Sequence, residues 1–142
     1  MENKNIYKAI ASFQQKIPVL LKDTQGYGYN YTDLPAIIKA INPLMKKYGM
    51  GFTQAVNGTK LDTVIFHIDT GETITSSIDI PQGISLKGMN DYQVLGSAIS
   101  YLRRYALSSM LGLVTDKDTD ASGEQVKDKK EVKKEIEDID LS

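Results

Sequence analysis

The chain of 142 residues contains no cysteine and a single histidine, His67. Without cysteine there is no disulfide framework and no thiolate metal site, which agrees with a reducing cytoplasm. No run of eighteen apolar residues occurs, and the N-terminal segment lacks the apolar stretch of an export signal. We therefore expect a cytoplasmic protein that is neither exported nor embedded in a membrane.

The sequence patterns of catalytic and cofactor sites are also incomplete. Residues 83–88 approach a phosphate-binding loop, but no lysine follows Gly88. The acidic triplet within 116–120 resembles the start of a calcium loop, but Ala121 stands where such a loop needs glycine. No serine has the G-x-S-x-G setting of an activated nucleophile, and a lone His67 in a strand pattern is more often a packed or surface imidazole than a metal ligand or general base. We expect no enzyme activity, no cofactor and no bound metal.

Positive and negative charges are distributed unevenly along the chain. Residues 1–115 hold eleven Lys and Arg against eight Asp and Glu, a formal charge of +3. Residues 116–142 hold six against ten, a charge of -4, and no aromatic side chain. This composition predicts one folded domain over 1–115 and an acidic, largely disordered C-terminal tail over 116–142. A mildly basic body with an acidic tail is typical of nucleic-acid binders, although +3 also occurs in ordinary domains.

Two amphipathic helices are predicted in the first part of the chain. Apolar residues recur at helical spacing from about residue 4 to residue 22, and Pro18 is expected to shorten or bend that helix. The second helix follows a cap at Thr32 or Asp33 and stops at Gly49 in a left-handed conformation.

From Met50 the apolar period changes to two, which predicts strands at 50–56, 61–68 and 72–80. Turn signals at Asn57-Gly58 and Thr70-Gly71 join them into an antiparallel meander. Each of the last two predicted strands carries three apolar residues that project to one side of the strand, so that one face of the sheet can pack against helices. These two apolar trios are Val64, Phe66 and Ile68, and Ile74, Ile78 and Ile80. The predicted fold is α+β, an antiparallel three-stranded β-meander packed against helices in the order α-α-β-β-β-α.

The last helix, expected over Gln93–Leu113, carries the main candidates for binding. Its apolar positions fall on one broad face: Val94, Leu95, Ala98, Ile99, Leu102, Ala106, Met110 and Leu113. The residues off that face are small or basic: Gly96, Ser97, Ser100, Arg103, Arg104 and Ser108. A nucleic-acid backbone or a neighbouring subunit can approach closely there, and the guanidinium groups offer forked donors for phosphate oxygens.

Other side chains extend this candidate DNA-binding surface. Lys60, beside the first hairpin turn, and Lys87, in the loop before the last helix, are expected to continue a basic track. Tyr27, Tyr29 and Tyr31 project to one side of an extended segment. These rings either stack on bases or take part in core and turn packing.

Several segments together resemble the ERF (essential recombination function) family of phage proteins, over about residues 20–121. They are Tyr29-x-Tyr31-x-x-Leu34, the proline-containing helix that ends at Tyr48-Gly49, the Thr70–Glu72 turn, the segment G-S-A-I-S-Y-x-R-R-Y from Gly96 to Tyr105, and the acidic close from Asp116 to Ala121. The G-S-A-I-S-Y-x-R-R-Y segment is the most specific of these.

The resemblance implies an ATP-independent protein that binds and anneals single-stranded DNA in phage homologous recombination, in the cytoplasm of the bacterial host. It implies a fold similar to ring-forming annealing recombinases, with Arg103 and Arg104 in a DNA groove and Tyr29 and Tyr31 as further candidates. Ser100 stands where relatives more often have threonine. The implied partners are single-stranded DNA and other copies of the chain, in a ring or filament.

Two further interpretations stay open at this point. The last residues, EIEDIDLS, place apolar side chains among acids, which suggests docking to a host or phage single-strand-binding protein or replication factor. The low charge of the body also allows a non-catalytic protein-interaction or inhibitor module that does not bind DNA directly, in which the arginines only brace subunits. A nuclease is a third reading, motivated only by the acidic triplet.

Overall fold

The computed structural model describes residues 5–21, 24–26 and 29–115, so the predicted tail and its docking segment lie outside the described residues. The elements are α1 (Ile6–Lys16), β1 (Thr24–Gly26), β2 (Tyr29–Tyr31), α2 (Leu34–Lys47), β3 (Met50–Asn57), β4 (Lys60–His67), β5 (Thr73–Asp79) and α3 (Asp91–Leu111). The predicted α+β order of two helices, three antiparallel strands and a last helix is confirmed. A short antiparallel pair, β1 with β2, is added between the first two helices.

The first helix begins at its cap and ends because of a proline. The Asn5 side chain accepts a hydrogen bond from the Lys8 amide at 2.8 Å. The helix ends at Lys16, earlier than the apolar spacing predicts, because the ring of Pro18 disfavours a helical backbone at Ile17. Ile17 is accordingly extended, with φ -73° and ψ 130°.

The other two helices follow their sequence signals more closely. The predicted cap at Asp33 is confirmed, since its carboxylate accepts from the Ala36 amide at 3.0 Å. At the start of α3, Asn90 and Gln93 form a reciprocal capping box, which satisfies two backbone amides that have no partner inside the helix. Gly112 ends α3 in the left-handed conformation, with φ 70°.

The strands β3, β4 and β5 form one antiparallel sheet in that order. The β3–β4 register runs from Met50 opposite His67 to Asn57 opposite Lys60, which leaves two residues for the turn. Gly58 takes positive φ there, as the Asn-Gly signal predicts. Each strand boundary lies within one residue of its predicted position.

The helices cover one face of this sheet. On β4 the buried side chains are Leu61, Thr63, Ile65 and His67. Ile74 and Ile78 face the helices, because the register places Ile74 opposite Ile65. Val64 and Phe66 therefore lie on the opposite face, so the two apolar trios of the sequence do not share one face of the sheet.

The core lies between the sheet and the three helices, and the buried face of α3 matches the predicted one only in part: Val94 and Ala106 are buried as predicted. The largest fully buried side chains of the helices include Phe13, Ile37, Ile41, Leu107 and Leu111. Arg104 and Ser108, expected off the buried face, are only 6% and 7% exposed, whereas Leu95 is 41% exposed. That expectation was wrong because Leu107 and Leu111, three and seven positions after Arg104, anchor this side of the helix in the core.

The Thr70–Glu72 turn connects the sheet to the start of α1. The Glu72 carboxylate accepts from the Ile6 amide at 2.8 Å and from Thr70 Oγ1 at 3.0 Å. Thr70 Oγ1 also lies 2.8 Å from Nδ1 of His67, which is 4% exposed. The first turn of α1 contains no acidic residue, so Glu72 supplies negative charge next to its positive end. His67 is thus packed, which decides between the packed and surface positions that its sequence context left open.

Within the described part of the chain, no helix is both long and apolar enough to cross a membrane.

Candidate nucleic-acid interface

The exposed part of the N-terminal half of α3 includes three small residues. Gly96, Ser97 and Ser100 are exposed there. Among the described residues, no atom lies within 4 Å of a Cβ atom added at Gly96. Glycine inside a helix costs about 0.5–1 kcal/mol relative to alanine. Since packing within this chain does not require it, the small residue leaves room for something outside the chain to approach the helix backbone.

One turn later, Arg103 is held in place by a residue of the sheet. Arg103 Nε donates to Gln54 Oε1 at 3.1 Å. The Gln54 amide nitrogen donates in return to the Arg103 carbonyl oxygen at 3.1 Å and to Thr63 Oγ1 at 3.0 Å. Among the described residues, the terminal Nη atoms of Arg103 form no hydrogen bond or ion pair. The guanidinium is therefore fixed at one edge, and its outer donors are available to an anion.

Arg104 has a different environment from its neighbour. Its guanidinium carbon lies 5.5 Å from the ring centroid of Tyr101 and 4.8 Å from that of Tyr105, distances at which a cation is attracted to an aromatic face. The two rings lie 4.6 Å apart at 51° to each other. Tyr101 is 51% exposed and Tyr105 is 37% exposed, so the buried Arg104 supports two rings that reach the surface of α3.

The two predicted lysines lie elsewhere on the molecule. Lys60 is at the start of β4, and the register places it opposite Asp79 on the sheet face that the helices do not cover. Its ammonium lies 2.6 Å from Asp79 Oδ1, and this hydrogen bond raises the pKa of Lys60. Lys87 is exposed in the loop before α3. Lys60 and Arg103 are thus on opposite faces of the sheet, and the structure does not bring them together.

An acidic group also belongs to the uncovered sheet face. Asp62 accepts from Ser77 Oγ at 2.7 Å and from Asn57 Nδ2 at 3.0 Å. These hydrogen bonds, with Ser77 the larger contributor, hold the pKa of Asp62 below its ordinary value. Together with Asp79, this carboxylate makes the uncovered face less favourable for DNA than the surface of α3.

Two predicted site residues are described only by their backbone. Tyr29 and Tyr31 are the end residues of β2, and Tyr31 pairs with Thr24 of β1. Tyr27 lies outside the described residues. In the described ranges, no group of three or more His, Cys, Asp or Glu side chains is placed to hold a metal ion.

The sequence reasoning missed three residues of this interface. Gln54 had no recognisable signal, because its role depends on the pairing of β3 with β4 and on the packing of α3 against both. Tyr101 and Tyr105 did have a signal. They are four residues apart, on one side of a helix, and they flank the arginine pair.

Comparison with known proteins identifies the family of this chain. A family model described as the ERF superfamily matches residues 6–138. The chain belongs to the ERF superfamily. The ERF match begins at α1 and extends into the acidic tail, beyond the segments that carry the sequence resemblance. It includes Gln54, Arg103 and both tyrosines of α3.

One curated relative is the essential recombination function protein of Salmonella phage P22, which is 24% identical over 126 residues. The match covers 83% of this chain and 60% of the relative, so the ERF protein described here spans less than two thirds of that relative's length. No solved structure matches the chain.

Proposed function

We propose that this chain is an ATP-independent single-stranded DNA-binding and annealing protein that acts in phage homologous recombination. Membership of the ERF superfamily and the name of the P22 relative support a role in recombination. The observation that carries the DNA-binding part is Arg103, whose outer donors are available on the side of α3 that also holds the small residues Gly96 and Ser100.

In this proposal, Arg103 is the residue that contacts phosphate. A guanidinium donates paired hydrogen bonds to phosphate oxygens. Because Gln54 already holds the Arg103 side chain in place, little side-chain freedom is lost when phosphate binds. The exposed Ser100 lies three positions earlier, on the next turn of the same helix, and offers a hydroxyl donor. The small side chain at Gly96 allows the DNA backbone to lie close to α3.

Tyr101 and Tyr105 are the proposed stacking residues. Stacking of a base on an aromatic ring contributes about 1–3 kcal/mol and accepts any base. Annealing needs the hydrogen-bonding edges of the bases to stay accessible to a second strand. Phosphate and stacking contacts meet this requirement, whereas base-specific hydrogen bonds would block pairing. We therefore expect little sequence preference, and the reaction uses binding alone, without a nucleotide cofactor.

Arg104 has a supporting role in this account. Arg104 is buried next to the two rings. This burial suits a bracing role, which the interaction-module hypothesis gives to both arginines. In this proposal, Arg104 stabilises the tyrosines and Arg103 contacts DNA.

Oligomerisation is part of the proposed mechanism. A body of charge +3 binds a polyanion weakly, but a ring or filament repeats Arg103 along one strand. Each later contact then forms at a high effective concentration. The acidic tail is the proposed contact for a single-strand-binding protein or replication factor of the host or phage.

The test is the substitution Arg103→Ala in the full chain, compared with Lys16→Ala, which removes the same charge from an exposed position on α1. We expect Arg103→Ala to weaken the binding of single-stranded DNA at least about tenfold, because it removes a charged hydrogen-bonding group worth about 1.5–3 kcal/mol. Fluorescence anisotropy with a labelled oligonucleotide measures the affinity, and circular dichroism checks the fold.

Two results decide between the candidate functions. Unchanged DNA affinity in a folded Arg103→Ala variant removes the proposed site. If the variant instead changes its mass in solution before it loses any affinity, the interaction-module hypothesis explains the arginines better.

A further inference from the structure

The two N-terminal helices contain a concentration of positive charge that the proposed function does not use. Helices α1 and α2 contain five lysines and no aspartate or glutamate: Lys8, Lys16, Lys39, Lys46 and Lys47. The other residues up to 115 carry six basic side chains against eight acids. The positive charge of the body therefore resides in this helical layer, while the rest of the body is net negative.

Three of these lysines surround one open groove. The groove has a volume of about 470 Å³ and lies between the start of α1 and the end of α2. Lys8 from α1 and Lys46 and Lys47 from α2 line it, together with Asn5, Ser12, Tyr48 and one acid, Asp69. Within the described part of the chain, none of the three lysines forms an ion pair. Counting Asp69, the lining carries a formal charge of +2.

The groove is separate from the proposed contact of α3. His67, at the end of β4, lines it, whereas Arg103 reaches the sheet through Gln54, which pairs with Thr63. Thr63 and His67 are four residue steps apart on the strand, about 13 Å at the rise of a β-strand. This distance is longer than the screening length of about 8 Å at physiological salt, so the two cationic regions act largely independently on a polyanion.

We propose that this lysine groove binds the phosphate backbone of a second DNA strand, while Arg103 holds the first. The inference rests on the proposed annealing function. Annealing brings two polyanions together, and a second set of cations must reduce their mutual repulsion. Lysine suits the incoming strand, because a hydrated point charge on a flexible stem accepts phosphates in many orientations. That strand can then slide along the groove until its bases find their complements.

The experiment compares two matched double variants of the full chain. Lys8→Gln with Lys46→Gln removes one groove lysine from each helix. The control, Lys16→Gln with Lys39→Gln, removes one lysine from each helix outside the groove. Both pairs change the net charge equally and keep side chains of similar length. The protein is first saturated with donor-labelled oligothymidylate, and acceptor-labelled oligothymidylate is then added, so that energy transfer reports a second strand without base pairing.

The proposal expects the groove variant to bind the first oligonucleotide as the wild type does and to lose its affinity for the second about tenfold or more at ~0.1 M salt. The control variant should capture both strands. If the groove variant loses affinity equally for the first and the second oligonucleotide, the groove contacts the first strand, and the inference is overturned. Equal behaviour of groove and control variants would also overturn it.

The same samples separate this inference from the proposed function. If the wild type captures two oligothymidylates but does not accelerate pairing of complementary strands, the groove stands and the annealing function fails. If the wild type accelerates pairing and the groove variant captures the second strand equally well, the annealing function stands and the groove fails.

Discussion

Gly96 offers the sharpest separation of stability from DNA binding. Its substitution by alanine adds one methyl group, which meets no atom within 4 Å in the part of the chain that the structure describes. Removal of a glycine from a helix interior stabilises the fold by about 0.5–1 kcal/mol. For a domain of this size, that corresponds to a rise of about 2–8 °C in the melting temperature. Gly96→Leu should keep most of this gain, because leucine is also a good helix former.

We expect the two variants to lose DNA binding in proportion to side-chain size. A leucine at this position holds the DNA backbone away from α3 and breaks the contact with Arg103, a charged hydrogen bond worth about 1.5–3 kcal/mol. The affinity should therefore fall about tenfold or more for Gly96→Leu and less for Gly96→Ala. Thermal unfolding and fluorescence anisotropy measure the two effects, with Gln15→Leu on α1 as a control for an added exposed leucine.

The reasoning is refuted if Gly96→Leu is as stable as expected and binds single-stranded DNA as tightly as the wild type. In that case no strand approaches the outer face of α3 near residue 96, and the glycine has another explanation.

Three further predictions concern the surroundings of the interface. Gln54→Glu places a carboxylate at the Nε edge of Arg103 and should weaken DNA binding. In a salt titration, the slope of log affinity against log salt concentration should become shallower by about 0.7 per subunit. Ser77→Ala removes the largest of the causes that lower the Asp62 pKa, so a carboxyl NMR titration should show that pKa rising towards its ordinary value. A carboxyl group whose pKa is lower in the folded than in the unfolded protein stabilises the fold at pH values above its unfolded-state pKa. This stabilisation is lost as the pH falls through the folded-state pKa, so the Ser77→Ala variant should lose less stability on acidification. Glu72→Gln keeps an acceptor for the first amide of α1 but loses the charge, and should destabilise the fold by about 0.5 kcal/mol in low-salt urea unfolding, with the difference decreasing in high salt.

Much of the fold was predictable because its signals are local. The positive φ values of Gly49, Gly58 and Gly71 follow from turn and cap positions that the sequence marks clearly. The face of β4 was harder to predict, because Ile65 on one side and Phe66 on the other are both apolar. Pairing with β5 decides between them, and pairing is a property of the whole sheet.

The same limit applies to the opposite sheet face and to the binding site. A Cβ atom at Gly51 would lie 2.5 Å from Cζ of Phe66. The Phe66 ring therefore lies over β3 at Gly51, where no side chain is present. Only the register shows this relation. Similarly, adjacent positions on a helix diverge by about 100°, so the spacing on α3 predicts that Arg103 and Arg104 have different surroundings. Only the packing of the helix shows that Arg104 is buried and that Arg103 is half-buried beside Gln54.

The central claim is tested most directly by mixing two complementary labelled oligonucleotides with the full chain in the absence of any nucleotide and following duplex formation. The account predicts pairing faster than the spontaneous rate for the wild type and a return to the spontaneous rate for Arg103→Ala. Pairing at the spontaneous rate with the folded wild-type protein, or unchanged acceleration by the Arg103→Ala variant, would contradict it.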